Sequence, residues 1–230
     1  QDKVNYQVTG ANVWKHAPTL SAMGKQRLRL YLAHSPDGKT FQLAQKKPAD
    51  SASSILLTVD LADRSDVDRK APGGGIMADA VDSWNGLQFS SDPLPEPTEM
   101  SGLFSAGLDF SCNKKDFDFE INLYEQTPKG KYVQLTSYWT RASYIENRSQ
   151  RHLLTPGKRE HLQFTANRLM SRQFEQGSRL VIVLRVIKES GRQINYGTGK
   201  DVSDETIQDA AQPLEINWFS TSFLDLPVSR

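Results

Sequence analysis

The chain has 230 residues, enough for one large β domain, and its single cysteine, Cys112, excludes an internal disulfide and any zinc site built from several cysteines. Its 28 basic and 27 acidic residues leave a formal net charge of +1 without a basic stripe, so a nucleic-acid partner is not expected. No apolar run reaches the roughly 18–20 residues that a membrane span needs.

The chain opens on "QDKVNYQVTG", which has neither an initiator Met nor the apolar core of a signal peptide. We interpret this start as a cut within a longer protein. Downstream, short runs of alternating apolar and polar residues predict about ten strands. These runs lie at 27–33, 54–61, 85–91, 100–111, 116–126, 131–144, 159–166, 178–186, 214–220 and 221–228.

Two local features refine this pattern. We expect 100–111 and 116–126 to form an antiparallel pair, and "TPKGK" (127–131) to turn the chain tightly into the following strand. One short helix is predicted at 203–212, with Ser203 as its N-cap and Pro213 as its stop. Many short strands and one minor helix predict an all-β jelly-roll sandwich, formed by residues 1–230 as a single module.

The segment 63–97 is a long irregular connection rich in Gly, Pro and Asp. A connection of this length in a compact domain is either functional or laid over another surface. Its three adjacent glycines, Gly73 to Gly75, lack the Lys-Ser or Lys-Thr of a phosphate loop, which favours a linker. We expect this segment to be mobile in an isolated module and ordered in the longer protein.

Motifs of catalysis are missing from the sequence. No serine lies in the G-x-S-x-G turn of an α/β-hydrolase. The four histidines have no metal-binding or dyad spacing, and we interpret them as surface or loop residues: His16, His34, His152 and His161. "GTGKD" (197–201) lacks the third glycine and the parallel sheet of a dinucleotide site.

Two further patterns admit a functional and a structural interpretation. "DFD" could supply calcium ligands from Asp116 and Asp118, but a solvated strand face is the favoured interpretation. The four tryptophans could form a sugar-stacking platform, but their apolar surroundings favour packing in the core or at an interface. They are Trp14, Trp84, Trp139 and Trp218. We expect neither a metal nor a cofactor in this chain.

An ordered series of segments resembles the C-terminal domain of the X-Pro dipeptidyl-peptidase and cocaine-esterase family, which includes α-amino-acid ester hydrolases and glutaryl-7-aminocephalosporanic acid acylases. The series runs through "VNYQVTGANVWKHAPTL", "RLRLYLAHSPDGKTFQL", "LQFSSDPLPEPTEMSGLFSAGLDFS", "KDFDFEINLYEQTPKGKYVQL", "LLTPGKREHLQF", "FEQGSRLVIVL", "INYGTG" and "LDLPV". It covers residues 4 to 228. The family-like positions are Gly10, Trp14, Asp118, Gly177, Arg179, Asn195, Gly199, Leu226 and Pro227.

The resemblance implies a galactose-binding-like jelly roll that packs against an upstream α/β-hydrolase domain. It places the Ser, Asp and His of the catalytic triad in that upstream domain, so no catalytic residue is expected in this chain. A homo-oligomer is a further possible partner. The resemblance leaves a periplasmic, secreted or cytoplasmic location open and favours the periplasm.

The resemblance has two departures. Gly177-Ser178-Arg179 stands where many relatives read Gly-His-Arg, and "VIKESGRQ" replaces their Ser-Ser-x-Phe-Pro, so the usual substrate cannot be carried over. Within the Gly-rich loop that follows, Asn195 is expected to cap a turn at the sandwich edge.

Two rival functions remain open, an independent carbohydrate-binding module and an enzyme with an unrecognised site. A module that has lost a partner should expose large apolar side chains outside the regular strands. The candidates are Trp14, Leu20, Ile76, Met77 and Trp84.

Overall fold

The computed structural model describes residues 2–38, 40–65, 76–189 and 191–229, and the Gly73–Gly75 run of the long connection lies outside them. The first strands are β1 (Val4–Val8), β2 (Val13–Ala17), β3 (Gln26–His34), β4 (Phe41–Ala44), β5 (Ser54–Val59), β6 (Met77–Ala78), β7 (Gly86–Ser91) and β8 (Thr98–Gly102). The others are β9 (Ser105–Cys112), β10 (Asp118–Gln126), β11 (Tyr132–Arg141), β12 (Glu160–Thr165), β13 (Met170–Phe174), β14 (Arg179–Val186), β15 (Leu214–Phe219) and β16 (Phe223–Ser229).

One hydrogen-bonded path joins most of these strands, in the order β5-β15-β9-β16-β3-β4-β7-β14-β10-β11-β6. Strand β3 carries the path from one layer to the other, because it pairs with β16 as far as Tyr31 and with β4 from Tyr31 to His34. Strand β12 pairs with β9, β8 pairs with β16, and β13 pairs with β8. These three strands therefore extend the layer that contains β5, β15, β9 and β16. Strands β1 and β2 form a separate antiparallel hairpin.

The core lies between the two layers, where side chains from both inner faces meet. Phe119 of β10 contacts Phe164 of β12 and Trp218 of β15, with ring centroids 6.4 and 6.2 Å apart. Tyr138 of β11 stacks on the same Phe164 at 4.3 Å. Because alternate residues of each strand point inward, these contacts make a jelly-roll β-sandwich, as the sequence predicted.

The hairpin at "TPKGK" is confirmed, but the strand pairing predicted before it is wrong. β10 turns into β11 through Thr127–Lys131, where Gly130 has φ = +78°. β10 pairs with β11 and β14, whereas β9 pairs with β12, β15 and β16. The predicted strand 100–111 is two strands, because Gly102 (φ = +133°) breaks it against the ring of Pro227. Consecutive strands β9 and β10 therefore enter opposite layers.

The predicted helix at 203–212 is replaced by two 3₁₀ turns, Val202–Asp204 and Ile207–Ala210. Ser203 is not the N-cap, because its amide donates to the side chain of Asp201, which caps the first turn. A reciprocal capping box between Thr206 and Asp209 closes the second turn. Within the described residues, no helix is long and apolar enough to cross a membrane.

Candidate functional site

None of the four histidines is hydrogen-bonded to a serine hydroxyl in the part of the chain that the structure describes. Their partners are Asn5 for His16, the Ser54 carbonyl for His34, Glu146 for His152 and Asp109 for His161. A serine nucleophile needs a base within hydrogen-bond reach. Among the described residues, no serine hydroxyl has a hydrogen-bonded histidine.

The His161–Asp109 pair comes nearest to an acid–base arrangement. His161 Nδ1 lies 2.8 Å from Asp109 Oδ1, and the Thr221 hydroxyl donates to the other carboxylate oxygen. Burial acts to raise the pKa of Asp109, but the hydrogen bonds from Thr221 and His161 outweigh it and the pKa is lowered. The Arg159 guanidinium lies 3.6 Å away. This cluster is a cross-strand ion network on the outer face of β9 and β12.

Asp116 and Asp118 do not form a solvated strand face, so that interpretation is wrong. Strand β10 begins only at Asp118, and Asp116 precedes it with a fully buried side chain. Asp116 accepts hydrogen bonds from the Ser143 hydroxyl (2.6 Å), the Ser143 amide (3.0 Å) and Arg151 Nη2 (3.0 Å). A buried carboxylate is stable only when it is paired and hydrogen-bonded in this way.

The second carboxylate joins the same region to the Gly-rich loop. Asp118 accepts from Arg141 Nε at 2.8 Å and from Asn195 Nδ2 at 2.9 Å. Asn195 Oδ1 accepts from the Gly197 amide at 3.0 Å, which confirms that Asn195 caps a turn. Asn195 is itself buried, so its amide both holds the loop and anchors it to β10.

Two further side chains complete this network, which we call the loop cluster (Asp116, Asp118, Arg151, Asn195 and Glu205 with their partners). Glu205 accepts from the amides of Tyr196 (2.7 Å) and Thr198 (2.8 Å). Arg151 Nη1 donates to the carbonyls of Gly199 (3.3 Å) and Lys200 (2.6 Å). Each charged group is satisfied within the chain. The loop cluster therefore fixes the loops after β11 and β14, and offers no free group for chemistry.

The family-like positions Gly177 and Arg179 lie at a second buried carboxylate. Glu125 accepts from the Ser178 hydroxyl at 2.7 Å and from Arg172 Nε at 2.6 Å. Arg179 instead donates to the Ser91 carbonyl at 2.7 Å, and Gly177 turns the chain with φ = +85°. Ser178, which departs from the family pattern, thus has a structural role inside the sandwich.

The remaining family-like positions are sites of close backbone packing. Gly10 has φ = +87°, and a β-carbon there would lie 2.7 Å from the Gln173 carbonyl. Pro227 packs against Gly24, where an added β-carbon would lie 2.5 Å from the ring. Leu226 is fully buried in the core. Gly199, with φ = +91°, is held by Arg151 in the loop cluster.

Three of the four tryptophans are exposed, and only Trp218 belongs to the core. All five apolar side chains that the sequence singled out are exposed: Trp14, Leu20, Ile76, Met77 and Trp84. They belong to several segments of the chain. Met77 pairs with Val133, and Val133 and Trp14 line the same cleft. Trp84 lies just before β7, near the point where Gly86 pairs with Arg185.

Several concave regions mark the surface. A groove of 710 Å³ crosses β4, β7, β10 and β14. Its lining combines apolar residues such as Phe41 and Leu87 with polar ones, including Gln42, Gln88, Gln126, Tyr132 and Arg179. A cleft of 440 Å³ separates the β1–β2 hairpin from β11 and β13. Among the described residues, no group of three His, Cys, Asp or Glu side chains could hold a metal ion.

Sequence analysis did not anticipate the loop cluster or the Glu125 site. The charged residues involved are far apart in sequence, for example Asp116 and Arg151, and no local spacing links them. One signal was present for Glu125. It occupies an inward position of β10, in register with Phe119, Ile121 and Leu123, where a charge requires a partner.

The sequence matches over residues 1–211 a family described as the X-Pro dipeptidyl-peptidase C-terminal non-catalytic domain. No curated protein sequence matches this chain significantly. All of it superposes on an aminopeptidase from a marine-sediment Thaumarchaeota archaeon, with a TM-score of 0.80 and 16% identity.

Two other solved structures share the fold. An α-amino acid ester hydrolase superposes on 98% of the chain with a TM-score of 0.75 and 20% identity. A CocE/NonD family hydrolase from Staphylococcus aureus superposes on all of it with a TM-score of 0.65 and 16% identity. The chain spans only 40%, 41% and 42% of these three proteins, in the order given.

Proposed function

This chain belongs to the family of X-Pro dipeptidyl-peptidase C-terminal non-catalytic domains, and from that premise we propose that it is the C-terminal β-sandwich of a larger serine-dependent hydrolase. The family match over residues 1–211 is the observation that carries the proposal. The parent enzyme would cleave amide or ester bonds by acyl transfer, with nucleophile, base and oxyanion hole in an upstream α/β-hydrolase domain. The lack of any histidine–serine hydrogen bond in the described residues supports this division of labour.

The chain's own role in the parent is to pack on the catalytic domain and to shape its pocket or an oligomer. The loop cluster supports this role, because it holds the loops after β11 and β14 rigidly through charges buried within the sandwich. A wall formed by such loops keeps its shape when substrate binds. Since "VIKESGRQ" departs from the family pattern in this region, we assign no particular acyl group or peptide to the parent.

The rival function, an independent carbohydrate-binding module, would use the 710 Å³ groove. Its amide and hydroxyl side chains could bond sugar hydroxyls, which is the observation in favour. Sugar-binding surfaces also need an exposed aromatic ring for stacking. Phe41 and Tyr132 line this groove but are half-buried, and none of the exposed tryptophans lies there. The proposal of a domain from a larger hydrolase therefore agrees with more features of the surface than a sugar-binding function does.

Turnover tests the proposal on two proteins. The chain alone should hydrolyse neither X-Pro anilides nor simple aryl esters, whereas the full-length protein from the same reading frame should hydrolyse at least one class. Substituting the serine of a G-x-S-x-G motif upstream should abolish that activity. Turnover by this chain that is lost on changing one of its own serines or histidines would overturn the proposal, and so would a reading frame without an upstream hydrolase domain.

A further inference from the structure

The β1–β2 hairpin is a satellite of the sandwich. Its buried residues Tyr6, Val8 and Ala17, together with Met23 of the following turn, form a small cluster apart from the main core. Backbone hydrogen bonds tie Thr9 to Ser171 and Gln173 of β13, at 3.2 and 2.8 Å. An isolated two-stranded hairpin is at best marginally stable in water. Packing contacts on both faces of the hairpin would hold it in place better than these two backbone hydrogen bonds alone.

The face that carries Tyr6 and Val8 is covered by the chain, but the other face is open. Trp14 lies opposite Gln7 on that other face, with 67% of its surface exposed. It lines the 440 Å³ cleft together with Leu135 of β11 and Leu169, which lies just before β13. Leu169 is exposed as well. Asn5, Gln7, Gln134 and Arg172 line it too, so the cleft combines polar side chains with an exposed aromatic ring and two leucines.

Other aromatic rings at the surface are covered by the chain's own cations. The Arg29 guanidinium lies 3.8 Å from the centre of the Phe223 ring, and Arg159 lies 4.0 Å from that of Phe219. Trp139 has Arg192 at 5.3 Å. Such contacts shield an aromatic face from water. No described cation or ring covers Trp14 in this way.

Strand β11 has few backbone partners among the described residues on the side that faces this region. Its only described partner on the side away from β10 is β6, which pairs at Tyr132 and Val133 alone. Val133, Gln134 and Leu135 line the cleft where this pairing ends. Unpaired strand edges and exposed apolar rings invite contact with another surface.

We infer that the hairpin cleft, formed by Trp14, Leu135 and Leu169, is where the upstream hydrolase domain docks, inserting an apolar side chain or loop beside Trp14. This inference rests on the proposed function and specifies its surface. The relatives are about two and a half times as long as this chain, since it spans 40–42% of them, and a C-terminal domain receives that additional length through its first strand. Gln7, opposite Trp14, lies three residues after the start of β1, or about 10 Å along the strand. The cleft is thus a surface with exposed apolar side chains close to the covalent connection.

Hydroxyl-radical footprinting of the full-length protein tests the inference, because tryptophan oxidation follows solvent access. Trp14 and Trp139 are comparably exposed in this domain, at 67% and 55%, while Trp218 is 1% exposed and serves as the buried reference. In the full-length protein we expect Trp14 to oxidise several-fold more slowly than Trp139. We also expect Trp14→Ser to separate the thermal unfolding of the two domains, and the matched control Trp139→Ser to leave it as one transition.

The outcomes distinguish this inference from the proposed function. A hydrolase domain upstream together with Trp14 oxidising as fast as Trp139 would overturn the docking site alone. Protection of Trp14 that disappears on dilution would assign the cleft to a second copy and would also overturn it. If no hydrolase domain precedes the chain, the proposed function fails first.

Discussion

At the scale of single residues, Cys112 shows how burial controls reactivity. The thiol is buried and donates to the Lys114 carbonyl at 3.1 Å, and burial raises its pKa to about 11. We expect the native protein not to react with a disulfide reagent such as DTNB at pH 8, because the thiolate is scarce and inaccessible. One equivalent should react after unfolding in guanidinium chloride. Rapid labelling of the native protein would contradict the buried position.

Asp116 should be essential for stability because it neutralises Arg151 inside the loop cluster. Asp116→Ala removes one partner of a buried ion pair and leaves the Ser143 amide unsatisfied, so we expect a loss of about 3–5 kcal/mol in the free energy of unfolding. Urea titration measures it. Glu146→Ala is the matched control in the same loop, since Glu146 is exposed and lies 3.7 Å from His152, and it should cost about 0–1 kcal/mol.

Asp109 should make stability depend on pH in the acid range. Its pKa is lowered in the folded state, so its contribution is fully present above the unfolded value of about 3.9 and is lost as the pH falls through the folded value. The free-energy difference between wild type and Asp109→Asn should therefore shrink below pH 4. Urea titrations from pH 3 to pH 7 measure this trend, and a difference independent of pH would contradict it.

At the scale of elements, the hairpin depends on a glycine where its backbone meets β13. Gly10 and Gly130 both have φ near +80°, so alanine at either position carries backbone strain of about 1–3 kcal/mol. Only at Gly10 would the added methyl also meet a backbone carbonyl, that of Gln173 at 2.7 Å, while nothing lies within 4 Å of the corresponding atom at Gly130.

We expect Gly10→Ala to destabilise the chain more than Gly130→Ala does. It should also speed amide hydrogen exchange at Thr9 and Gln173, which join the hairpin to β13. Equal effects of the two substitutions in urea titration and exchange would show that contact with β13 contributes nothing.

At the scale of the whole molecule, one continuous core should give one cooperative transition. Main-core residues come from both layers, from Leu30 in β3 to Val228 in β16. We expect far-ultraviolet circular dichroism and the fluorescence of buried Trp218 to report the same urea midpoint for the isolated chain. The Trp218→Phe variant, which retains the three exposed tryptophans, shows how much of the fluorescence change on unfolding comes from the buried Trp218. Two separated midpoints would indicate that the layers unfold independently.

The sequence by itself determined the family and about half of the strands. Alternation shows which face of each strand is buried, because a strand exposes every second side chain to each side. This local rule located the segments that became β3, β5, β7, β10, β12, β14, β15 and β16. The ordered series of segments over residues 4 to 228 identified the domain family, which is described as non-catalytic.

Only the tertiary structure decided which strands pair and which charges are buried. Alternation carries no information on pairing, so β9 and β10, adjacent in sequence, entered opposite layers. Asp116 resembled a solvated residue because the groups that stabilise its buried charge, Ser143 and Arg151, lie 27 and 35 positions further along the chain. Pairing and charge burial both depend on contacts between distant segments, and these exist only once the two layers have closed over a common core.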